Sequence, residues 1–433
     1  MMKIGIDVSS LQGAHRLRGI GYVASNFLKN IPSSHTATFA LYVDENGEIP
    51  YEQVISELNL EHINYEVRKL QKTNPTGKNM PGKLKYFSKA SRRIRELVAY
   101  LFGDSRVKDT LDLDAFLQLD QSAPLPRLRI GGRLYFIAYD LIPYVLEADY
   151  LWNFRTSRRR GLSRKAALKA SIRRFLYITM IRLNSRRATK IFAISKTTKR
   201  DFEKYTRTPV EKIVSVTLGL SVATHKKSTH DGIVKRYHST SWGYLPKNTS
   251  LNGERFLLFV GGADHRRKLD DLVAAFNHLR AENINIKLVL SGDSMQGPRN
   301  IATHSIQRAL ADSAYPDDIY YLGFSDDLTR DWLYENALAF VFPSVYEGFG
   351  LPVLEAMSYG TPVICYKNSA VTEVASTIPL YATDTLSIKN HVLDIINSSE
   401  KEAKQRATRG IRQAAKYRWS DVSSDIMNHI TNK

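Results

Sequence analysis

The sequence contains one cysteine among its 433 residues, Cys365. A single thiol excludes an intramolecular disulfide, and no charged-then-apolar leader precedes the run KIGIDV at Lys3–Val8, so the expectation is a chain of the reducing cytoplasm. Long apolar runs are missing too. FLYITMI and ALAFVF fall far short of the ~18–20 residues that a membrane-spanning helix needs. No repeat at a fixed spacing and no low-complexity tract is present. Acidic residues are absent from 151 to 200, a stretch that holds sixteen Lys and Arg, and the whole chain carries a formal charge of +19. That surplus exceeds what a solvated surface requires and implies an anionic partner. No helix-turn-helix, zinc-finger, RNP or KH pattern accompanies it, and basic charge alone does not read a nucleic acid. No Ser/His/Asp or Cys/His set, no Asp-x-Asp pair and no histidine ligand spacing stand out, so neither a protein nucleophile nor a metal is implied.

What is present is a regular alternation. Hydrophobic residues make up 43% and charged residues 24%, a globular composition, and at ~100–200 residues per domain the length suggests two large domains. Short β-branched or aromatic runs (KIGIDV, ATFALYVD, AFLQLD, LYFIAYD, TKIFAIS, KIVSVTL, then FLLFVGG, IKLVLSG, IYYLGF, LAFVFPS, TPVICY) are separated by helix-like windows such as LDDLVAAFNHLRAE. Near-continuous apolar strands of this kind are those of parallel sheets covered on both faces. The expected fold class is therefore α/β, with two Rossmann-like doubly wound domains facing a central cleft. The Ser/Thr/Lys-rich stretch Ser221–Glu254 marks the boundary. We expect a first domain over 1–250, a second over 251–414, and a closing helix within 415–433 that packs back on the first. Ligands of such sheets sit outside the carboxyl ends of the strands.

The chemistry concentrates in SVYEGFGLPVLEAMSYGTPVI, Ser344–Ile364. An apolar strand ends near Pro343, a loop carries Glu347, Gly348, Phe349 and Gly350, and Pro352 occupies the first turn of a helix that runs through Glu355 to a stop at Gly360. Free amides near Gly350 and Leu351 make an anion site, for which a diphosphate is the natural occupant. Glu355, one turn in, is placed to accept from a ribose diol, and Glu347 to meet a sugar hydroxyl. Cations must then offset the diphosphate, and LLFVGGADHRRKLDDLVAAF supplies Gly262, Arg266, Arg267 and Lys268 between a strand and a helix. The bland alternative is a set of solvated loop charges.

With these motifs the chain resembles glycosyltransferase family 4, retaining enzymes of the GT-B fold, and within it the bacterial mannosyltransferases. EGFGLPVLEAMSYGTPVI is similar to the family's E-x7-E signature, and VGGADHRRKLDDLVAAF to its VGxxxxRKNLxxLxxAF segment. KIGIDVSSLQGAHRLRGIGYVASNFLKNI resembles the N-terminal strand, glycine loop and helix, AYDLIPY the HDLIP segment, IFAISKTTKRDF and YRWSDVSSDIM two further segments. The resemblance implies that Glu347 contacts the transferred sugar, Glu355 the ribose, and Arg266 with Arg267 the diphosphate. It implies that Gly19 and Gly21 let the loop after the first strand approach the phosphate. Arg267 stands where the family has lysine, with Lys268 beside it as a substitute, and Tyr139 stands where the family has histidine. Tyr139 therefore either acts at the sugar or merely packs; Asp140 either orients the acceptor or caps a strand end.

The resemblance also implies a donor nucleotide sugar, with GDP-mannose favoured and UDP-glucose or another UDP-sugar as the alternative, and no metal requirement. The acceptor expected is a glycan, lipid-linked, in cell-surface polysaccharide biosynthesis. Within Gly82–Phe102 the residues Leu84, Phe87, Ser91, Ile94, Val98 and Leu101 form one helical stripe, with Lys85, Lys89, Arg92, Arg93 and Arg95 around it. Such a helix suits an anionic membrane surface at the inner face of the plasma membrane, or else faces a core with its charges solvated. A GT-B protein that binds sugar nucleotide without turnover is the remaining alternative.

Overall fold

The computed structural model of the chain describes residues 1–13, 16, 19–70, 107, 109–121, 123, 125, 126, 128, 131–221, 232–240, 243–292 and 304–432. The basic stretch Gly82–Phe102 with its apolar stripe lies outside these residues. The chain divides into two compact units, Met1–Gly219 with Arg418–Lys433, and Leu220–Tyr417.

The first unit is built on β1 (Lys3–Asp7), β2 (Thr38–Val43), β3 (Asn64–Lys69), β4 (Ala115–Gln118), β5 (Arg133–Ala138), β6 (Lys190–Ala193) and β7 (Ile213–Ser215). These form a seven-stranded sheet in the order β3-β2-β1-β4-β5-β6-β7, parallel throughout. Its inner strands are buried along their length because their residues are apolar on both faces; Phe39, Leu41, Phe116, Phe136, Ile137 and Phe192 are wholly enclosed. The edge strand β3 was not expected. Its sequence NYEVRK has no apolar run, and its charges instead tie it sideways, with Glu66 3.0 Å from Lys3 and Arg68 2.5 Å from Asp112.

The C-terminal helix Trp419–Thr431 belongs to this unit and buries Trp419, Val422, Ile426, Met427 and Ile430 at helical spacing. It lies on the helix Gly19–Lys29: Ser423 Oγ donates to the Phe27 carbonyl at 3.0 Å, and the Tyr22 and Trp419 rings meet edge-on at 5.9 Å. Gly219 touches the start of the same helix so closely that a Cβ there would stand 2.4 Å from the Trp419 amide nitrogen.

The second unit opens with an antiparallel hairpin of β8 (Ile233–Thr240) and β9 (Gly243–Ser250). With no apolar period, this Ser/Thr/Lys-rich stretch reads in the sequence as the end of the first domain. In the structure it groups with the second unit. Then come β10 (Phe256–Val260), β11 (Lys287–Ser291), β12 (Ile319–Gly323), β13 (Ala339–Phe342), β14 (Val363–Tyr366) and β15 (Leu380–Ala382). They form a parallel six-stranded sheet in the order β12-β11-β10-β13-β14-β15. The chain moves outward from β10 on one side and from β13 on the other. That reversal leaves a topological switch point at the carboxyl ends of β10 and β13, where doubly wound sheets bind ligands. Both units are thus doubly wound α/β. Among the described residues no helix is long and apolar enough to cross a membrane.

Candidate functional site

The switch point of the second unit is where the loop motifs converge. After β10 the chain turns through Gly261, whose φ of +148° is closed to most side chains; a Cβ there would stand 2.4 Å from Arg267 Nη1. Asp264 caps the short 3-10 turn His265–Arg267 by accepting from the Arg266 amide at 3.2 Å. This turn aims both guanidinium groups at the loop after β13. Arg266 Nη1 donates to Glu347 Oε1 at 2.5 Å and to the Tyr346 carbonyl at 3.1 Å. Arg267 Nε reaches the same Oε1 at 3.4 Å, while its Nη1 donates to the Gly262 carbonyl at 2.8 Å. Ser344 Oγ adds a third donor to Oε1 at 2.9 Å.

All three donors serve one oxygen. Glu347 Oε2 has no hydrogen-bond partner among the described residues, although the side chain is largely enclosed. Burial alone would raise the pKa of this carboxyl, but the charges of Arg266 and Arg267 outweigh it, and the Glu347 pKa lies below the usual carboxylate value. Arg267 is shifted downward, chiefly by its own burial. The loop is tied down from behind by Asn368, whose Nδ2 donates to the Ser344 carbonyl at 2.8 Å and whose Oδ1 caps the next helix at the Val371 amide, 3.0 Å away.

Lys268 follows in the left-handed region with φ of +46°, at the start of the helix Leu269–Ala281. Among the described residues its ammonium has no hydrogen-bonded or ion-paired partner.

Past Glu347, Phe349 is buried edge-on to the Tyr417 ring at 5.9 Å. Gly350, at φ of +107°, caps the helix Leu351–Ser358, with Pro352 in its first turn and the turn at Gly360 behind it, as the sequence predicts. The amides of Gly350 and Leu351 have no protein acceptor among the described residues, which leaves two donors at the positive end of the helix. Gly348 adjoins them in the buried corner.

Glu355 lies on this helix but apart from the Glu347 cluster; the two carboxylates share no partner among the described residues. Its Oε2 accepts from the Tyr334 hydroxyl at 2.9 Å. Burial raises the Glu355 pKa, opposed by the nearby Arg330. Tyr334 is itself fully enclosed, stacked on Tyr359 at 5.8 Å. Its role was not read from the sequence: it comes from a different helix, and no local spacing signals the pairing.

The expected site residues of the first unit look different in the structure. Gly19 and Gly21 are not in a loop. They form the first turn of the helix Gly19–Lys29, neither has a left-handed φ, and a Cβ on Gly19 would meet nothing within 4 Å. Tyr139 is 7% exposed, and its hydroxyl donates to the Leu119 carbonyl at 2.8 Å. Its phenol proton is thus engaged inside the protein, as in the packing alternative. Asp140 Oδ1 accepts from the Ile142 amide at 3.1 Å, the capping alternative.

Comparison with known proteins agrees with this architecture. Residues 243–406 match the family model described as glycosyl transferases group 1. The chain is 30% identical over 212 residues to the O-antigen chain mannosyltransferase B of Escherichia coli, covering 46% of this chain and 54% of that protein. It is 26% identical over 312 residues to the serotype-specific mannosyltransferase WbdA of Escherichia coli, covering 69% of this chain and 33% of WbdA. The matched segments thus span about half or less of these relatives. Among solved structures, Anabaena HepE in complex with UDP and glucose superposes with a TM-score of 0.63 at 14% identity, covering 100% of both chains. WaaG, a glycosyltransferase involved in lipopolysaccharide biosynthesis, superposes at 0.60 and 13% identity, covering 99% of this chain and 100% of WaaG. The fold is GT-B, and the match to the glycosyl transferases group 1 model falls within the second unit.

Proposed function

We propose that the protein is a retaining glycosyltransferase of family 4 that moves a hexose, mannose in the first instance, from a nucleotide sugar to a glycan acceptor. The observation that carries this reading is the asymmetry of Glu347: Oε1 is held by two arginines and a serine while Oε2 is left without a partner. A carboxylate fixed in this way at a switch point is a preorganised acceptor for a sugar hydroxyl. Glu355 repeats the pattern, with Tyr334 on one oxygen and the other open to a ribose hydroxyl.

The leaving diphosphate is met by cations and amides. Arg266, Arg267 and Lys268, set against Glu347 and Asp264, leave a net positive charge, and the free amides at Gly350 and Leu351 add to it. In the reaction, the acceptor oxygen bonds to the anomeric carbon as the bond from that carbon to the β-phosphate oxygen breaks. The acceptor proton passes to the departing phosphate oxygen, so no protein nucleophile or metal is needed. Arg266, Arg267 and Lys268 stabilise the charge that grows on the diphosphate.

GDP-mannose is favoured as donor by the mannosyltransferase relatives. UDP-glucose is the second reading, supported by the UDP and glucose held in HepE. The acceptor is taken to be lipid-linked and the enzyme peripheral on an anionic leaflet, acting in cell-surface polysaccharide synthesis. Support comes from the helix Arg164–Arg187, on which Leu168, Ile172 and Phe175 stand 55%, 36% and 63% exposed on one face amid a stretch without acidic residues.

Thermal-shift titration with GDP, GDP-mannose, UDP and UDP-glucose tests the donor. One nucleotide series should raise stability by ~2.7 kcal/mol at a hundred times its dissociation constant, and Glu355→Ala should abolish the rise. No response to any of them sinks the proposal.

A further inference from the structure

Outside the Glu347 site, a cavity of about 460 Å³ opens in the first unit between the carboxyl ends of the helices Arg164–Arg187 and Lys196–Thr206, lined by Arg182, Ser185, Arg186, Arg207, Thr208 and Lys212 among others. Helices that flank parallel strands run against them. Ser185 and Arg186 therefore lie just before β6, and Thr208 and Lys212 just before β7, at the amino ends of the strands. Ligands of doubly wound sheets bind at the opposite, carboxyl ends. This cavity is not the transferase site.

Its chemistry is one-sided. Four cations line it and no carboxylate does. Cations at helix carboxyl ends are ordinarily explained by the exposed carbonyls there, and for Lys212 that is the case: its Nζ donates to the carbonyls of Arg186 and Ala188 at 3.2 and 3.0 Å. The guanidinium groups of Arg182, Arg186 and Arg207 have no acceptor among the described residues. The hydroxyls divide in the same way. Thr206 donates to the Phe202 carbonyl and accepts from Thr208, both at 2.5 Å, so those two protons are spent. Ser185 is 2% exposed, and its hydroxyl is buried without a partner. A hydroxyl on the cavity wall without a protein partner has its hydrogen bond available to an occupant of the cavity. Arg207 completes the set from a left-handed position, φ of +58°, where helix ends favour glycine or asparagine.

We propose that this cavity binds a phosphate group, with Arg182, Arg186 and Arg207 pairing to its oxygens, Lys212 supplying charge from the wall, and Ser185 donating the remaining hydrogen bond. The phosphate comes either from a free phosphorylated molecule or from a lipid headgroup. Arg182 and Arg186 follow Phe175 at helical spacings that keep them on the face of Leu168 and Ile172, an arrangement that suits an amphiphile.

The test uses the full chain and the variant Arg182→Gln/Arg186→Gln/Arg207→Gln. Calorimetric titration with inorganic phosphate and co-sedimentation with phosphatidylcholine vesicles, with and without phosphatidic acid, are read side by side. Neither readout depends on glycosyl transfer. Loss of one phosphate-binding site per chain in the variant identifies a free ligand. A roughly tenfold weaker preference for phosphatidic acid, with the phosphate titration unchanged, identifies a headgroup. Arg207→Asn, which suits the left-handed backbone, and Ser185→Ala should each weaken the same signal. If the triple variant matches the parent in both titrations, the proposal is wrong.

Discussion

Glu347 and Arg266 lie 81 residues apart in sequence and meet at 2.5 Å, carboxylate oxygen to guanidinium nitrogen, at the carboxyl ends of adjacent strands. Both side chains are only 11% exposed. A pair so enclosed is costly to break from one side, because the partner is left as an uncompensated charge. Glu347→Ala strands Arg267 as well, and should lower unfolding free energy by about 3 kcal/mol in urea titration while abolishing transfer. Because the Glu347 pKa is depressed in the folded state, its contribution is present above the unfolded carboxylate pKa and is lost as pH falls through the lower folded value. The stability gap between the parent and Glu347→Gln should therefore be constant near neutrality and close only in acid. A gap that widens in acid would contradict the pairing.

Glu355 should behave in the opposite sense. Its folded pKa is raised by burial, so the folded state holds the proton more tightly, and stability falls as pH rises from the unfolded pKa to the folded one. That cost, incurred above the unfolded pKa, is still present at neutral pH. Glu355→Gln should raise Tm at pH 7, where its amide oxygen still accepts from Tyr334, yet raise KM for the donor at least tenfold. A lower Tm with an unchanged KM would make Glu355 a structural residue.

The two doubly wound sheets were legible because each inner strand is a continuous apolar run, and the corner Glu347–Gly360 because glycine, proline and acid sit at fixed helix-capping positions. What was not legible follows from the same physics. The edge strands β3 and β15 bury little and need no apolar run, and the hairpin β8–β9 is stabilised by a partner strand rather than by a period. Gly19 and Gly21 read as a loop because glycine disfavours helix interiors, yet they open a helix whose buried face, Val23, Ala24, Phe27 and Leu28, fixes it regardless. The links from Tyr334 to Glu355 and from Tyr139 to Leu119 join distant segments by one hydroxyl each, and nothing in the local sequence marks them.

For Tyr139 the hydroxyl is the deciding group. It donates to the Leu119 carbonyl in a buried site, so Tyr139→Phe should cost about 1 kcal/mol of stability and leave kcat/KM within about twofold of the parent. A hundredfold loss of turnover with the fold intact would restore the phenol to the reaction.

Gly219 should report on the C-terminal helix. An added Cβ would lie 2.4 Å from the Trp419 amide nitrogen and 2.6 Å from its Cα, both backbone atoms that no side-chain rotation can move. Gly219→Ala is expected to lower stability by about 1–3 kcal/mol and to expose Arg418–Lys433 to limited proteolysis ahead of the rest of the chain. Equal cleavage rates in parent and variant would mean that the helix docks without this contact.

Lys268 separates stability from turnover most cleanly. Its φ of +46° lies in a region that costs a lysine backbone energy, and among the described residues its ammonium has no partner that would offset that cost. A backbone-driven choice at this position would be glycine or asparagine, so the lysine's charge is available to a ligand. If that ligand is the leaving diphosphate, Lys268→Asn should hold or raise stability, by up to about 1 kcal/mol, while lowering kcat with little change in the KM for donor, because the charge it meets grows only in the transition state. Arg266 and Arg267, already engaged by Glu347, would show losses in both stability and kcat. Equal stability losses for Lys268→Asn and the arginine variants would place Lys268 in the scaffold rather than in the reaction.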